Sequence, residues 1–549
     1  MILTNVFDWN NPDLYFLICL SIINAVLLCF LSYKFMQIIQ LSNYKVKHYN
    51  IWLKDTKAKW VSRLALMSFL SFCCVFVTNI LFSEKMSSSK LVGYFGLIFY
   101  FALSISFIIE MLKVPQKKPL RITKRAFRLF VLTFIIYLAI TFSVLVLVLE
   151  QSYYLRASVL ALTPILVPII VPLAVLLMNP LEKIIYNTYK HRATKELAKH
   201  TDLIKIGITG SYGKTSTKHF LAKILECKYK VVATPSSFNT PMGISKTVFS
   251  DLKADTEIFI AEMGAKQVGD IKELCDMVKP NCAIITGVCE NHLETFGSLE
   301  NIIKTKSELY QSLDENDVCV FDVSNENTKR MFDECQLKNK IAVGEDGKTL
   351  YAEDITADED GIEFNIVYKG KKYPAKSRIL GEHNVQDMLL AVAIALKFDI
   401  KMKDIQKQIE SIEPIEHRLE LKKLPNDIIM IDDSFNSNII GTASALKTLG
   451  LFKDANRKII VTPGLVELGN KEEVENIELG RNIAKICDVA ILVNKNQSEN
   501  IKKGLLEEGF NPKNIIYKET LFDVTNLFKT FLQSGDVILM ENDLPDNYK

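Results

Sequence analysis

Residues 204–217 read IKIGITGSYGKTST, and this stretch decides the fold of what surrounds it. Ile204, Ile206 and Ile208 form a short apolar run that enters a glycine turn. The turn delivers Lys214, Thr215 and Ser216 to the start of a mixed polar and apolar helical pattern. A strand, a glycine loop and a helix N-terminus in that order make a phosphate-binding loop. Backbone N–H groups of Gly210, Ser211 and Gly213 would cradle phosphate oxygens, Lys214 would neutralise the outer phosphates, and the Thr215 hydroxyl would ligate Mg²⁺. The spacing is not the strict Walker pattern, because Ile208 stands six residues before Lys214 and the glycine sits at 207. The loop reads as an ATP site.

Outward from the loop the chain divides. Of 549 residues, those before about 180 carry nearly all the long uncharged apolar runs, and the charge is concentrated after them. The net charge of +3 gives no global pull toward nucleic acid. Eleven scattered cysteines show no metal-binding spacing and fit an intracellular chain with reduced thiols. Five runs, at about 14–36, 64–82, 91–112, 127–149 and 155–178, are long enough to cross a bilayer. The leading tail carries Asp8 and Asp13 but no Lys or Arg, unlike a cleavable signal peptide. Lysines and arginines cluster after the first, third and fifth runs, from Lys45 to Lys59, Lys113 to Arg125 and Lys183 to Lys195. That bias predicts an N-terminus outside and residues after 180 in the cytoplasm, with the chain embedded as a multi-pass protein of a bacterial-type plasma membrane. Pro164, Pro168 and Pro172 fall on one face of the fifth run and predict a distorted helix, either a kinked anchor or one wall of a groove for a lipid-linked substrate. Residues 181–201 read as a charged, helical linker.

From residue 202 onward, β-rich runs at 230–233, 257–263, 283–285 and 317–321 alternate with helical patterns, as in a mostly parallel sheet covered on both faces. Residues 351–378 read as an antiparallel patch with turns at Asp360-Gly361 and Lys369-Gly370, followed by a helix at 384–398. After Pro414 the alternation restarts, giving a second, smaller dinucleotide-fold-like domain. Glu262 closes a predicted strand, where a carboxylate can reach a metal ion at the carboxyl end of a sheet. His292 follows the next strand and reads either as a metal ligand or as an ordinary histidine. Lys306, Asn384 and the acids Asp432-Asp433 each have plain readings too, as a solvated lysine and as helix caps. Their order carries the information.

That order resembles the Mur ligase family, the ATP-dependent amide-forming enzymes of peptidoglycan synthesis, and within it the D-alanyl-D-alanine-adding branch. The matching motifs are TGSYGKTSTK (209–218), FNTPMG (238–243), AEMGA with GDI (261–271), NHLETFGSLENIIKTKSEL (291–309), GEHNVQDMLLAVAIA (381–395), HRLE (417–420), DDSFNSN (432–438) and PGLVELG (463–469). The resemblance implies that Gly210, Ser211, Gly213, Lys214, Thr215 and Ser216 bind the nucleotide phosphates, with Asn384 near adenine. It implies that Glu262 and His292 hold metal with Thr215, and that Lys306, if carbamylated, places a second ion. Arg418 and Asp433 would come from the last domain as it closes over ATP. Asp387 stands where the family carries a second asparagine, and Ile439 where a proline follows.

The implied organisation is an all-α transmembrane domain of five spans (1–180), a linker (181–201), a P-loop central Mur ligase domain (202–413) and a Rossmann-like C-terminal domain (414–549). The implied cofactors are ATP and Mg²⁺. The implied partners are a small-molecule or lipid-linked envelope precursor bearing a carboxylate, and an amino acid or dipeptide amine such as D-alanyl-D-alanine. Two further readings stay open: amidation of a capsular or teichoic-type polymer, and a membrane scaffold that binds nucleotide without turnover.

Overall fold

The computed structural model describes residues 12–56, 58–82, 89–113, 119–147, 153–236, 238–290, 293–345, 349–435, 438–466 and 468–542. The chain forms two compact units, Met1–Ile185 and Tyr186–Leu544.

The first unit is helical: α1 (Pro12–Leu31), α2 (Tyr33–Leu41), α3 (Val46–Asp55), α4 (Lys59–Phe82), α5 (Ser89–Lys113), α6 (Lys124–Leu147), α7 (Tyr153–Leu162) and α8 (Val167–Lys199). Among the described residues, five helical stretches are long and apolar enough to cross a membrane, by length and composition. The first predicted run breaks at Ser32, whose hydroxyl bonds back to the Leu28 carbonyl at 2.7 Å and meets the Tyr137 hydroxyl at 2.7 Å. Such back-bonding bends helices.

The fifth run contains a 3₁₀ turn, Thr163–Leu166, between α7 and α8. Proline chemistry accounts for the break. Pro168 has no N–H for the Pro164 carbonyl, which instead accepts from Val167 N. Pro172 likewise leaves the Pro168 carbonyl without its helical donor, and the buried Tyr49 hydroxyl donates to it at 3.0 Å. Tyr49 lies on α3, a helix in what the sequence suggested was only a basic loop. Near the bundle's middle, Asn24 donates to Thr141 at 3.1 Å and to Thr163 at 3.2 Å, and accepts from Tyr100 at 2.8 Å. One buried amide thereby joins four helical segments.

The charged segment predicted as a linker is the end of α8. Its residues Ala193 and Leu197 are buried in the core of the second unit, and Lys190 pairs with Glu273 at 2.7 Å.

In the second unit, β1 (Ile204–Thr209), β2 (Val231–Ala233), β3 (Ile258–Glu262), β4 (Cys282–Ile285), β5 (Val318–Asp322) and β6 (Asn339–Val343) form one parallel sheet in the order β2-β3-β1-β4-β5-β6. Its central strands are apolar and buried on both faces, as a covered parallel sheet demands. β7 (Leu350–Asp358), β8 (Gly361–Tyr368) and β9 (Lys371–Ser377) form the antiparallel patch. Between patch and sheet runs the helix His383–Lys397, buried over most of its length, which packs in one core with the helix Lys214–Leu225.

β10 (Glu420–Leu424), β11 (Ile428–Asp433), β12 (Lys458–Thr462), β13 (Val489–Val493), β14 (Ile515–Lys518) and β15 (Val537–Glu541) form a second sheet in the order β10-β11-β15-β12-β13-β14. Only β10 in this sheet runs antiparallel, paired to β11.

Candidate active site

The loop after β1 is shaped by crowding. A Cβ at Gly210 would lie 1.9 Å from Thr286 Oγ1. Gly213 has φ +77° at the start of the helix Lys214–Leu225, and a Cβ there would lie 2.3 Å from Asp387 Oδ1. Ser211 is pinned to the segment after β4: its N–H donates to Gly287 O at 2.8 Å and its hydroxyl to Cys289 O at 3.0 Å. Lys214 Nζ curls over the loop, donating to Gly210 O at 2.7 Å and Ser211 O at 3.1 Å. Burial holds this ammonium below the ordinary lysine range; Glu262 opposes that effect and Arg418 adds to it. Ser216 is buried two residues further along the helix.

Glu262, 1% exposed at the end of β3, is the hub. Its Oε2 accepts from Thr215 Oγ1 at 3.1 Å and from Lys218 Nζ at 2.8 Å, and its Oε1 from Asn239 Nδ2 at 3.2 Å. Burial pushes the carboxyl up, but Lys218 and Lys214 outweigh it and hold Glu262 below the usual carboxylate range. A threonine hydroxyl beside an ionised carboxylate is a hard-oxygen donor set of the kind Mg²⁺ takes. Sequence reading assigned no role to Lys218 or Asn239. Both stand inside quoted motifs, and the spacing of Lys218 from Lys214, one helical turn, was the available signal. His292 lies outside the described residues.

Lys306 is no solvated lysine. It is 3% exposed, on the helix Leu299–Gln311, and burial together with the charge of Lys214 pushes its amine down to about 7. Glu308 on the same helix accepts from Gly269 N and Lys272 N, both at 2.8 Å, capping the helix Asp270–Val278.

Arg418 comes from the start of the last domain. Its neighbours His417 and Leu419 have φ of +62° and +47°, uncommon for such residues. Side chains at the end of β11 hold this turn: Asp433 Oδ1 accepts from Leu419 N at 3.2 Å, and Asp432 Oδ2 meets His417 Nδ1 at 2.8 Å. The result sets the Arg418 charge where it lowers Lys214, Lys218 and His383. Asp433, read as a nucleotide contact, is buried and turned to the backbone beside Arg418. Asn384 is also buried, its amide donating to Leu380 O at 2.7 Å at the start of its helix. Asp387 accepts from Thr217 at 3.2 Å, and burial followed by the nearby Asp322 holds its carboxyl well above the usual range.

His417, Glu420 and Asp432 lie within 4.8 Å of one another, as metal ligands would. The Lys422 ammonium already pairs with Asp432 at 2.6 Å and Glu420 at 3.0 Å, which compensates the cluster's charge. The two catalytic domains also touch directly. Lys447 bonds Glu382 at 2.6 Å, Ser444 Oγ meets His383 Nδ1 at 2.5 Å, and Lys471 pairs with Glu290.

Residues 208–395 match the Mur ligase middle domain, and residues 417–541 match the Mur ligase, glutamate ligase domain. The chain is 29% identical over 336 residues to the UDP-N-acetylmuramoyl-tripeptide–D-alanyl-D-alanine ligase of Bacillus subtilis, covering 61% of this chain and 72% of that one. It is 26% identical over 312 residues to the enzyme of the same name from Haemophilus influenzae, covering 56% and 67%. In structure it is similar to MurF from Acinetobacter baumannii, with TM-score 0.58 at 24% identity over 65% of this chain and 77% of that chain. It is also similar to the MurF ligase from Thermotoga maritima in complex with ADP, with TM-score 0.57 at 22% identity over 65% and 80%. At these identities the structural likeness is one of fold. The two domain matches together cover more than half of the sequence, and the chain belongs to the Mur ligase family of ATP-dependent amide-forming ligases.

Proposed function

We propose that this chain is a membrane-anchored ligase that joins D-alanyl-D-alanine, or a closely similar amine, to the terminal carboxylate of a muramoyl-tripeptide precursor. The observation that carries the reading is the buried Glu262 carboxylate 3.1 Å from the Thr215 hydroxyl, beside the phosphate loop. The names of the Bacillus subtilis and Haemophilus influenzae relatives support the choice of substrates. The five apolar helical stretches support anchoring, with the catalytic unit cytoplasmic where ATP is.

In the proposed reaction an acceptor carboxylate oxygen attacks the γ-phosphorus of ATP, and ADP leaves. The amine nitrogen then attacks the acyl carbon of the acyl phosphate, phosphate leaves, and the nitrogen loses a proton as the amide forms. Lys214 and the loop amides hold the phosphates, and Arg418 adds positive charge from the other domain. Mg²⁺, held by Thr215 and Glu262 with His292, would offset charge on the transferred group. Lys306 fits carbamylation, because a buried amine lowered to about 7 supplies the neutral nitrogen that CO₂ requires. Contacts such as Lys447–Glu382 join the two domains at their surface.

The test uses the full chain in detergent with Mg²⁺, ATP, bicarbonate and D-alanyl-D-alanine. Phosphate release and product mass are read with either a UDP-linked or a lipid-linked tripeptide. Amide product from either acceptor is the expected result, and the preferred acceptor tells whether the helical unit serves substrate. ATP binding without product from either acceptor overturns the peptidoglycan reading and favours another envelope polymer, the second reading. That alternative draws on the position of the helical unit, Met1–Ile185, outside the stretch matched to the family.

A further inference from the structure

Lys218 is a buried cation whose ammonium meets the same carboxylate oxygen as the Thr215 hydroxyl. Its Nζ bridges two acceptors, Ser236 O at 2.5 Å and Glu262 Oε2 at 2.8 Å. The Ser236 carbonyl is presented from a residue with φ +44°, so the backbone adopts an unfavoured conformation where it meets the lysine. Glu262 is held from other sides as well. Asn239 Nδ2 donates to Oε1 at 3.2 Å, and Glu262 N donates to Thr234 Oγ1 at 3.1 Å. Asn239 itself lies where a Cβ on Gly264 would come within 2.7 Å of its Cγ. The carboxylate is therefore fixed at both oxygens before any metal arrives.

We propose that Lys218 is a positioning residue that orients the Glu262 carboxylate toward Thr215 for metal binding. This rests on the reading of Glu262 as a ligand of Mg²⁺. Two effects of the ammonium oppose each other. Its charge repels a cation at the shared carboxylate, while its hydrogen bond keeps a buried acid in the one rotamer that faces the Thr215 hydroxyl. Orientation wins, because a buried carboxylate stripped of its ion-pair partner is strongly disfavoured in place and turns toward other donors. Partners of this kind change metal affinity by about 10- to 100-fold when removed.

The test measures Mn²⁺ binding by electron paramagnetic resonance on the full chain in detergent, with a non-hydrolysable ATP analogue. K218M is expected to weaken Mn²⁺ by about tenfold or more, and K218Q, which keeps a donor, by less. Analogue binding in EDTA should be retained in both. The double variant K218M/E262Q should bind Mn²⁺ no more weakly than E262Q, because Lys218 acts through that carboxylate. Wild-type or tighter Mn²⁺ affinity in K218M, or in K218Q should K218M not fold, overturns the proposal while a loss in E262Q preserves the ligand reading. Unchanged affinity in E262Q overturns the ligand reading, and the proposal with it.

Discussion

The two six-stranded sheets of the catalytic unit are built alike and finish differently at their carboxyl edges. In the first sheet β1 ends in a glycine loop, β3 ends in an ionised carboxylate, and cations gather around both. In the second sheet β15 ends in Glu541, fully buried beside Asp433, where it accepts from Thr442 at 2.6 Å and Thr462 at 3.2 Å. Burial and the Asp433 charge push this carboxyl up to about 8. The same architecture thus makes an anion cradle at one edge and a proton-bearing, closed edge at the other. The turn before the second sheet carries Arg418, whose charge reaches the loop of the first sheet and lowers Lys214. A doubly wound sheet offers its carboxyl edge as a site, but local residues decide whether that edge is open.

If the first edge is the phosphate site, K214A should cost at least about 10³-fold in phosphate release with the fold intact by melting temperature. Retained turnover would break the contrast at its centre. R418A tests whether the second sheet acts across the cleft. A fall of about 10²-fold in kcat is expected, with ATP analogue binding retained in part. A smaller effect follows from Lys306. With an amine near 7, the neutral form rises roughly tenfold between pH 6 and pH 8, so carbamate formation at constant CO₂ should rise over the same range. A ¹³C-carbamate signal that appears with labelled bicarbonate and is missing from K306A would check this.

The smallest expected effect concerns the closed edge. Between its ordinary value of 4.5 and about 8, folded Glu541 keeps a proton that the unfolded chain has released. Raising pH through that window therefore favours unfolding, by up to about 1.4 kcal/mol per pH unit, and the loss is complete above pH 8. E541Q cannot titrate, so its melting temperature should exceed that of the wild type by a few degrees at pH 8 and converge with it near pH 5. Equal pH profiles would show that this carboxyl is not held protonated.

Features that depend on near neighbours in the chain were legible early. The five apolar runs, the strand-loop-helix at 204–217 and the turns of the antiparallel patch rest on hydropathy, glycine geometry and alternation, which are properties of short stretches. The 3₁₀ turn at Pro164 follows from a missing N–H and was also foreseeable as a distortion. Other features needed partners far along the chain. Tyr49 completes the Pro168 carbonyl from 119 residues away, and Thr217 meets Asp387 across 170. Lys306 lies in a helix whose local pattern suits a surface lysine, and only packing from other elements buries it.

By itself, the sequence singled out the residues proposed to carry chemistry: the glycines of the loop, Lys214, Thr215, Glu262, Lys306 and Arg418, each recognisable by type and order. Tertiary structure decided their states and roles. It lowered Lys306, set Lys218 behind Glu262, and gave Asp433 a hydrogen bond that supports the Arg418 turn. The physical reason is that desolvation and charge–charge effects depend on what surrounds a group in space, and a linear sequence does not state its surroundings.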